Sequence, residues 1–281
     1  MSFTAAASAV QLGSESVLVV EDGTGKILLE KNANVVVPIA SLTKLMTAMV
    51  VLDSKPDMDA PISIDKNDVD MVKHSTSRVP VGATISRRDV LQLALMSSDN
   101  RAAASLARTY AGGPAAFAAA MKAKIKALGM TQTVLEEPTG LSPNNKSTAS
   151  DLIKMATAAA NYPDIRSITT DPKEFITING RRVEYHNTNR LVGAKGWDIG
   201  LSKTGYTNEA GRCLIMRIKS AGTNATLILL NAKANSARVL DASNIRRFIA
   251  GDSAEPKVRV ASTRHKQRVS RVSSHRRRAA P

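Results

Sequence analysis

The chain has 281 residues, of which 43% are hydrophobic, 22% are charged and only 3% are aromatic. The length allows a large core. The lone Cys213 excludes an internal disulfide and a cysteine metal cluster. No apolar run approaches the roughly 18 residues that a membrane span needs. The formal net charge is +15, but residues 256–281 carry nine of the lysines and arginines and no acid, which leaves +6 for the rest. The basicity therefore belongs mostly to the C-terminal segment.

The N-terminal half of the sequence predicts a β-hairpin followed by helices. Valine-rich alternation over 15–21, a Gly-rich turn and a second apolar run over 26–30 are typical of such a hairpin. Ser86 and Asp89 form a capping pattern that predicts a helix start. By periodicity and alanine content, helices are predicted at 39–53, 86–97, 100–110, 114–128 and 148–161.

The C-terminal half predicts strands and one closing helix. Asn179-Gly180 between two short apolar runs is a strong hairpin signal. Strands are predicted at 175–178, 181–185, 198–204, 212–219 and 225–231, and a helix at 236–250. Because strands gather at both chain ends and helices in the middle, we predict an α+β fold. An antiparallel sheet built from both ends would pack against helices, and an inserted helical lobe would meet it at a crevice.

Three segments follow from this pattern. Residues 1–13 form a predicted flexible leader, which has neither the basic start nor the hydrophobic stretch of a signal peptide. Residues 14–250 form one predicted domain. Residues 251–281 lack apolar periodicity and are predicted to be a basic, disordered tail.

Ser41 and Lys44 are the first candidates for chemistry. The sequence has no G-x-S-x-G elbow and no metal-ligand spacing of histidines, so a serine–histidine–acid hydrolase and a metal site are not indicated. Positions i and i+3 share a helix face, which lets the Lys44 amine reach the Ser41 hydroxyl. A lysine buried beside another cation would be held as the neutral amine, which can act as a base. Taken alone, the pair is better explained as a partly exposed surface contact.

Two further motifs favour a catalytic role for Ser41 and Lys44 over a surface contact. Ser98-Asp99-Asn100 falls between two predicted helices, where a hydroxyl and a carboxamide would project into the crevice; alone it reads as a helix N-cap. Lys203-Thr204-Gly205 lies on a predicted strand. There Gly205 would let another backbone approach, and a peptide could add as an edge strand. The three motifs in this order are far more specific than any one of them.

With these motifs, the sequence resembles the serine-type D-Ala-D-Ala peptidases. It is most similar to small penicillin-binding proteins of the penicillin-binding protein 7 type, which are D-alanyl-D-alanine endopeptidases. The resemblance covers roughly residues 14–250 and includes the stretches SLTKLMTA, MSSDNRAAASLA, EPTGLS, NTNRLV and KTGYTNEAGRC. It implies a β-lactamase/transpeptidase-like fold and a hydrolase without metal or cofactor. The implied reaction is cleavage of D-Ala–diaminopimelate cross-links between peptidoglycan stem peptides, with β-lactams as inhibitors.

The resemblance also implies a catalytic role for several motif residues. Ser41 would be the nucleophile that forms an acyl-enzyme with the D-Ala carbonyl, and Lys44 would take its proton. Ser98 would bond to both Lys44 and Lys203 and relay a proton to the leaving amine. The backbone N–H groups of Ser41 and Tyr206 would form the oxyanion hole.

Substrate binding is implied for a second set of residues, namely Asn100, Lys203, Thr204, Gly205 and Tyr206. Asn100 would hold a substrate amide. Lys203 would keep the site positive for a substrate carboxylate, and the Thr204 hydroxyl would bind that anion. Asp99, in the middle of its motif, is expected to have a structural role.

The resemblance places the substrate outside the cytoplasm, so we expect a periplasmic enzyme whose full gene product carries a signal peptide. The extra β-rich domain and membrane anchor of larger carboxypeptidases are not expected after residue 250, which favours a soluble or loosely associated enzyme. The tail is expected to make at most weak contacts with anionic envelope polymers. Binding of nucleic acid through the tail would lack base readout and stacking surface, and is not expected.

Other activities stay open on the sequence. A D-Ala-D-Ala carboxypeptidase would use the same residues. A class A-like β-lactamase needs a glutamate that activates the deacylating water, for which Glu136 and Glu137 are candidates. The following Thr139-Gly140-Leu141 is instead typical of the peptidase branch. A non-catalytic peptidoglycan-binding protein would not need all three motifs intact.

Overall fold

The computed structural model describes residues 11–252. The strands, in chain order, are β1 (Ser16–Glu21), β2 (Ile27–Lys31), β3 (Val37–Pro38), β4 (Pro61–Ser63), β5 (Thr84–Ser86), β6 (Lys146–Ser147), β7 (Lys173–Ile178), β8 (Arg181–His186), β9 (Asp198–Thr207), β10 (Gly211–Ser220) and β11 (Thr223–Ala232). The helices are α1 (Thr43–Asp53), α2 (Arg87–Met96), α3 (Asn100–Arg108), α4 (Gly113–Ala127), α5 (Ala149–Ala159), α6 (Pro163–Thr170) and α7 (Asn235–Ile249).

A five-stranded sheet in the order β2-β1-β11-β10-β9 forms the middle layer. Each pairing in it is antiparallel, and β1 from the N-terminal part pairs with β11 from the C-terminal part. The predicted α+β fold, with its sheet built from both chain ends, is therefore confirmed. The β9 strand lies at the edge of the sheet, which leaves one side of it next to the helical part of the molecule.

Both faces of the sheet are covered, and alternating side chains serve two separate cores. On β10, Leu214 and Met216 pack with α7 residues such as Ile245, whereas Ile215 points into the larger core formed with the other helices. The same alternation in β11 places Leu229 on the α7 side. Because both faces are buried, these strands are continuous apolar runs and not alternating ones.

Helix α1 is the centre of the helical part. Its residues from Thr43 to Val51 are all buried, because α2, α3, α4 and α5 pack around it. A helix enclosed in this way carries apolar residues all around its axis, so it shows little amphipathic character. Its first turn is thereby held rigidly inside the molecule.

Several elements differ from the sequence prediction. The helix predicted from residue 39 begins as a 3-10 turn, Ala40–Leu42, and becomes α-helical at Thr43. Helix α6 was not predicted, because its short sequence is rich in β-branched residues and offers only Ile165 and Ile168 as an apolar pair. The short strand pairs β3–β6 and β4–β5 were also missed. The predicted leader and tail lie almost entirely outside the described residues.

Candidate active site

Ser41 and Lys44 lie at the N-terminal end of the central helix. Ser41 is in the 3-10 turn, Lys44 is in the first turn of α1, and the Lys44 Nζ donates to the Ser41 Oγ at 2.9 Å. The same ammonium donates to Asn100 Oδ1 at 2.6 Å and to the Thr139 carbonyl oxygen at 2.7 Å. These three bonds use all the donors of a lysine and fix its position beside the serine.

Lys44 is only 1% exposed, and its burial lowers the pKa of the amine from 10.5 to about 8. The negative charges of Glu137, Asp99 and Asp70 act in the opposite direction. The expected lowering is therefore present, although burial and not a neighbouring cation causes it. At a pH near 8, about half of the amine is in the form that can accept a proton.

The loop between α2 and α3 carries the second motif. Asp99 is the N-cap of α3 and accepts from the Ala102 backbone N–H at 2.9 Å, which is a structural role as expected. Its other oxygen accepts from Ser77 Oγ at 2.7 Å. Ser98 has a φ of +58°, a conformation that non-glycine residues rarely adopt. The backbone here turns sharply, and the cap holds that turn in place.

Asn100 is engaged within the protein. Its Oδ1 accepts from Lys44, and its Nδ2 donates to Ser75 Oγ at 2.7 Å. Ser75 in turn bonds to Asp70 Oδ2 at 2.6 Å. The carboxamide thus connects the lysine to the segment before β5, and its contact with a substrate stays a prediction.

Lys203 lies on the edge strand β9, facing the loop that contains Ser98. It is 1% exposed, and its Nζ donates to Ser98 Oγ at 2.8 Å. Burial lowers its pKa well below the usual value, and the nearby charges of Lys44 and Arg238 lower it further. The structure therefore contains one of the two expected bonds of Ser98. A bond from Ser98 to Lys44 is not present, because Asn100 and Thr139 occupy the remaining donors of that lysine.

Two glycines pack directly against the turn that holds Ser41. A Cβ atom on Gly205 would lie 2.9 Å from the Ile39 carbonyl oxygen, and one on Gly140 would lie 2.0 Å from the Ala40 carbonyl oxygen. Gly205 does allow a close backbone approach, but the approaching backbone is the chain's own Ser41 turn. Between the two glycines, Ala40 is held at a φ of +48°.

A cleft of about 490 Å³ opens above these groups. It is lined by Ser41, Ser98, Asn100, Thr188, Arg190, Thr204, Gly205, Tyr206, Arg212, Asn235 and Arg238. Every residue predicted for the site, apart from the buried Lys44 and Lys203 beneath it, therefore lines one cavity. At its wall Thr204 Oγ1 donates to Thr188 Oγ1 at 2.7 Å, and Tyr206 is 49% exposed.

The sequence interpretation missed three arginines of this cleft. Arg238, on α7, is buried, donates to the Cys213 carbonyl oxygen at 3.0 Å and has a pKa lowered to about 10, chiefly by burial. Arg190 lies in the loop before β9, and Arg212 is the partner of Tyr206 on β10. No local pattern marks them, since each lies on a different element and only the fold brings them together.

A second cavity, of about 340 Å³, continues from Asn100 toward the helical side. Residues 67–72 form one wall, with Met71 and Val72 largely exposed, and residues 137–141 form much of the other. An ion pair between Lys73 and Glu209 joins this segment to the β9–β10 turn. Asn100 lines both this cavity and the cleft that contains Ser41.

Glu136 and Glu137 are both bonded within the loop that follows them. Glu137 accepts from the backbone N–H of Thr139 at 2.7 Å and from that of Gly140 at 2.6 Å. Glu136 accepts from Ser142 Oγ at 2.8 Å. These carboxylates shape the loop whose Thr139 carbonyl holds Lys44.

Within residues 11–252, no group of three or more His, Cys, Asp or Glu side chains is placed to hold a metal ion. In that same part of the chain, every helix is too short or too polar to cross a bilayer.

Comparison with known proteins gives consistent matches. The family model described as D-alanyl-D-alanine carboxypeptidase, peptidase S11, matches residues 3–234. A D-alanyl-D-alanine endopeptidase of Pseudomonas aeruginosa is 47% identical over 85% of this chain and 78% of its own length. The protein of the same description from Escherichia coli is 41% identical over 95% of this chain and 87% of its own.

Solved structures agree with the fold. The Streptomyces K15 DD-transpeptidase superposes with a TM-score of 0.79 at 26% identity, covering 85% of this chain and 98% of that one. A D-alanyl-D-alanine carboxypeptidase from Mycobacterium tuberculosis gives a TM-score of 0.76 at 25% identity, covering 90% and 96%. The expected transpeptidase-like fold is thus confirmed.

Proposed function

The chain belongs to the D-alanyl-D-alanine carboxypeptidase family, peptidase S11, and is a serine-type D-Ala-D-Ala peptidase; we propose that it is an endopeptidase that opens D-Ala–diaminopimelate cross-links through an acyl-enzyme on Ser41. The observation that carries the assignment of Ser41 is the 2.9 Å bond from the buried Lys44 amine to its hydroxyl. Two relatives, 47% and 41% identical, bear the name endopeptidase, which favours a cross-link over a terminal D-Ala.

In the acylation step, the neutral Lys44 amine takes the proton of the Ser41 hydroxyl while Oγ attacks the D-Ala carbonyl carbon. Collapse of the tetrahedral intermediate breaks the amide C–N bond, and the leaving amine takes a proton from Ser98. Lys203 donates to Ser98 at 2.8 Å and can restore that proton. In deacylation a water molecule attacks the ester carbonyl and gives a proton through Ser98 to Lys203. Lys44 returns its proton to the departing Ser41 oxygen, so both lysines regain their starting states.

The developing negative charge needs donors in fixed positions. We assign this role to the backbone N–H groups of Ser41 and Tyr206, and one such donor is typically worth about 3–4 kcal/mol in the transition state. Lys203 and the Thr204 hydroxyl would bind the carboxylate beside the scissile bond. Gly140 and Gly205 support the Ser41 N–H through their close packing against that turn.

A β-lactamase is the weaker alternative for this site. Its deacylation would need a carboxylate free to activate water, whereas Glu136 and Glu137 are bonded to the backbone and side chains of their own loop. We therefore expect a slowly hydrolysed penicillin adduct. A carboxypeptidase activity would use the same groups, and more distant relatives bear that name.

Purified muropeptides distinguish the two peptidase activities. We expect the enzyme to convert cross-linked dimers into monomers, as followed by chromatography and mass spectrometry, and Ser41→Ala to leave them intact. Unchanged dimers together with loss of D-Ala from pentapeptide monomers would instead make the protein a carboxypeptidase.

We also propose a periplasmic location, because that is where this substrate lies. Fractionation of the native protein tests it, and a purely cytoplasmic protein would contradict it.

For the basic segment we propose weak contact with anionic envelope polymers. Removal of residues 256–281 should then reduce retention on peptidoglycan or anionic lipid, and unchanged retention would contradict the contact.

A further inference from the structure

The catalytic cleft has a strongly one-sided charge. Three arginines line it, Arg190, Arg212 and Arg238, and the buried side chain of Lys203 lies just beneath them. The lining contains no aspartate or glutamate. A cleft of this kind attracts anions and raises their local concentration.

One carboxylate does not need three guanidinium groups. The carboxylate beside the scissile amide is served by Lys203 and Thr204 on the edge strand, with the buried Arg238 close by. Arg190 is exposed and Arg212 is half-buried, so both lie farther toward the mouth of the cleft. In the part of the chain that the structure describes, neither is paired with a carboxylate.

Arg212 is also held in place. Its guanidinium carbon lies 3.5 Å from the centre of the Tyr206 ring, a stacking contact that leaves the edge of the guanidinium free for hydrogen bonds. Its charge is close enough to Arg238 to oppose protonation of that residue. Two neighbouring arginines that repel each other are stabilised when an anion binds between or beside them.

We propose that Arg190 and Arg212 form a subsite for a second carboxylate of the leaving group, beyond the one adjacent to the scissile amide. This inference rests on the proposed function and sharpens it. The leaving half of a cross-link is a stem peptide with several carboxylates, whereas free D-Ala has one. The subsite would therefore favour cross-links over terminal D-Ala.

Synthetic substrates test the subsite directly. In the series diacyl-L-Lys-D-Ala-X, X is D-2-aminoadipate, with a side-chain carboxylate, or the same residue with its side chain as the neutral amide. We expect the wild-type kcat/KM to be about tenfold higher for the carboxylate, since partly exposed charge pairs give effects of this order. The preference should shrink as salt is added, because exposed charges are screened.

A double variant that carries both Arg190→Gln and Arg212→Gln should abolish the preference for the carboxylate substrate. Arg181→Gln, which changes an exposed arginine at the start of β8, is the matched control and should keep the preference. The rate of acylation by penicillin, measured in each variant, shows whether Ser41 is still active. The ratio of the kcat/KM values for the two substrates then reports recognition of the carboxylate and not folding.

The outcomes separate the two levels of the proposal. A wild-type enzyme that cleaves cross-linked dimers without preferring the carboxylate substrate would overturn the subsite and leave the endopeptidase standing. A preference that survives in the double variant would also overturn it. An enzyme that neither cleaves dimers nor reacts with penicillin would overturn both.

Discussion

At the level of single residues, the chemistry of the site depends on burial. Lys44 is enclosed between the start of α3 at Asn100 and the loop that contains Thr139, and this burial lowers its pKa to about 8. An exposed lysine at pH 7 would be almost entirely protonated and could not act as a base. The helix spacing brings the amine to Ser41, but the surrounding loops make it reactive.

The pH dependence of acylation follows from this pKa. Because only the neutral amine of Lys44 accepts the Ser41 proton, the acylation rate should rise with pH, with a midpoint near 8 and a plateau above it. Between pH 7 and pH 9 the increase should be about tenfold. Rapid-quench measurement with a fluorescent penicillin checks this, and a flat profile from pH 6.5 to 9.5 would contradict the role of Lys44.

Gly140 provides a steric test of the Ser41 turn. Gly140 and Gly82 have nearly the same positive φ, +86° and +85°, but a Cβ on Gly140 would strike Ala40 whereas one on Gly82 meets open space. Gly82→Ala should cost about 1 kcal/mol of folding free energy, from backbone strain alone. Gly140→Ala should cost clearly more and abolish penicillin acylation.

Urea unfolding and acylation of the two glycine variants give the comparison. Since the backbone strain is matched, the difference between them reports the contact with the Ser41 turn. Equal stability and equal acylation in both variants would mean that this contact does not hold the nucleophile.

At the level of elements, the break between α2 and α3 positions the site. Asp99 caps α3, and its carboxylate also lies close enough to Lys44 to raise that pKa against the effect of burial. The Asp99 side chain therefore has both a structural role and an electrostatic role, and two substitutions can separate these roles.

Asp99→Asn should keep the cap and remove the charge. We expect its free energy of unfolding to stay within about 1 kcal/mol of wild type, because Asn caps as well as Asp. Loss of the negative charge should lower the pKa of Lys44, so the midpoint of the acylation profile should move to lower pH. Asp99→Ala should show the same shift and also lose about 1 kcal/mol of stability. A midpoint that is unchanged in both variants would contradict the electrostatic effect of Asp99 on Lys44.

The elements themselves were largely predictable, since their signals are local. The turn at Asn179-Gly180 does join β7 and β8, and Ser86 does cap α2. The 3-10 turn at Ser41 was not predictable, because it is imposed by Gly140 and Gly205 from distant parts of the chain. The same holds for the short pairs β3–β6 and β4–β5, which exist only through tertiary contacts.

At the level of the whole molecule, a buried carboxylate joins the beginning of the described residues to their last helix. Asp241 on α7 accepts from the Gly13 N–H at 2.9 Å, and from the Ser14 N–H and hydroxyl at 2.7 and 2.6 Å. This contact fixes the start of β1 against the closing helix. Strand β1 belongs to the same sheet as β9, which carries Lys203.

Asp241→Ala should therefore destabilise the entire domain. Removing the carboxylate leaves the buried polar groups of Ser14 without a partner, which should cost about 3 kcal/mol. Asp59→Ala, which removes a largely exposed acid, should change stability by less than about 1 kcal/mol. Urea unfolding measures both, and an Asp241→Ala protein as stable as wild type would contradict this account.

The site as a whole could be predicted only as a set of motifs. Ser41, Ser98 and Lys203 were identified from the sequence, and the structure brings them to one cleft. Arg190 and Arg212 could not be identified, because an arginine in a loop or strand has no signal until the fold shows what it faces. Two bonds differ from the expected site: Lys44 donates to Asn100, and Ser98 bonds to Lys203 but not to Lys44. These differences likewise depend on which side chains the fold brings next to the Lys44 ammonium.

The most direct test of the account is the site of covalent attachment of penicillin. The folded protein is incubated with penicillin and digested with trypsin, and the adduct is located by mass spectrometry, with Ser41→Ala and Ser150→Ala in parallel. We expect one adduct per chain on the peptide spanning residues 32–44, whose only serine is Ser41. The adduct should persist in Ser150→Ala and vanish in Ser41→Ala. An adduct at another residue, or none at all on the folded wild-type protein, would contradict the assignment of Ser41 as the nucleophile.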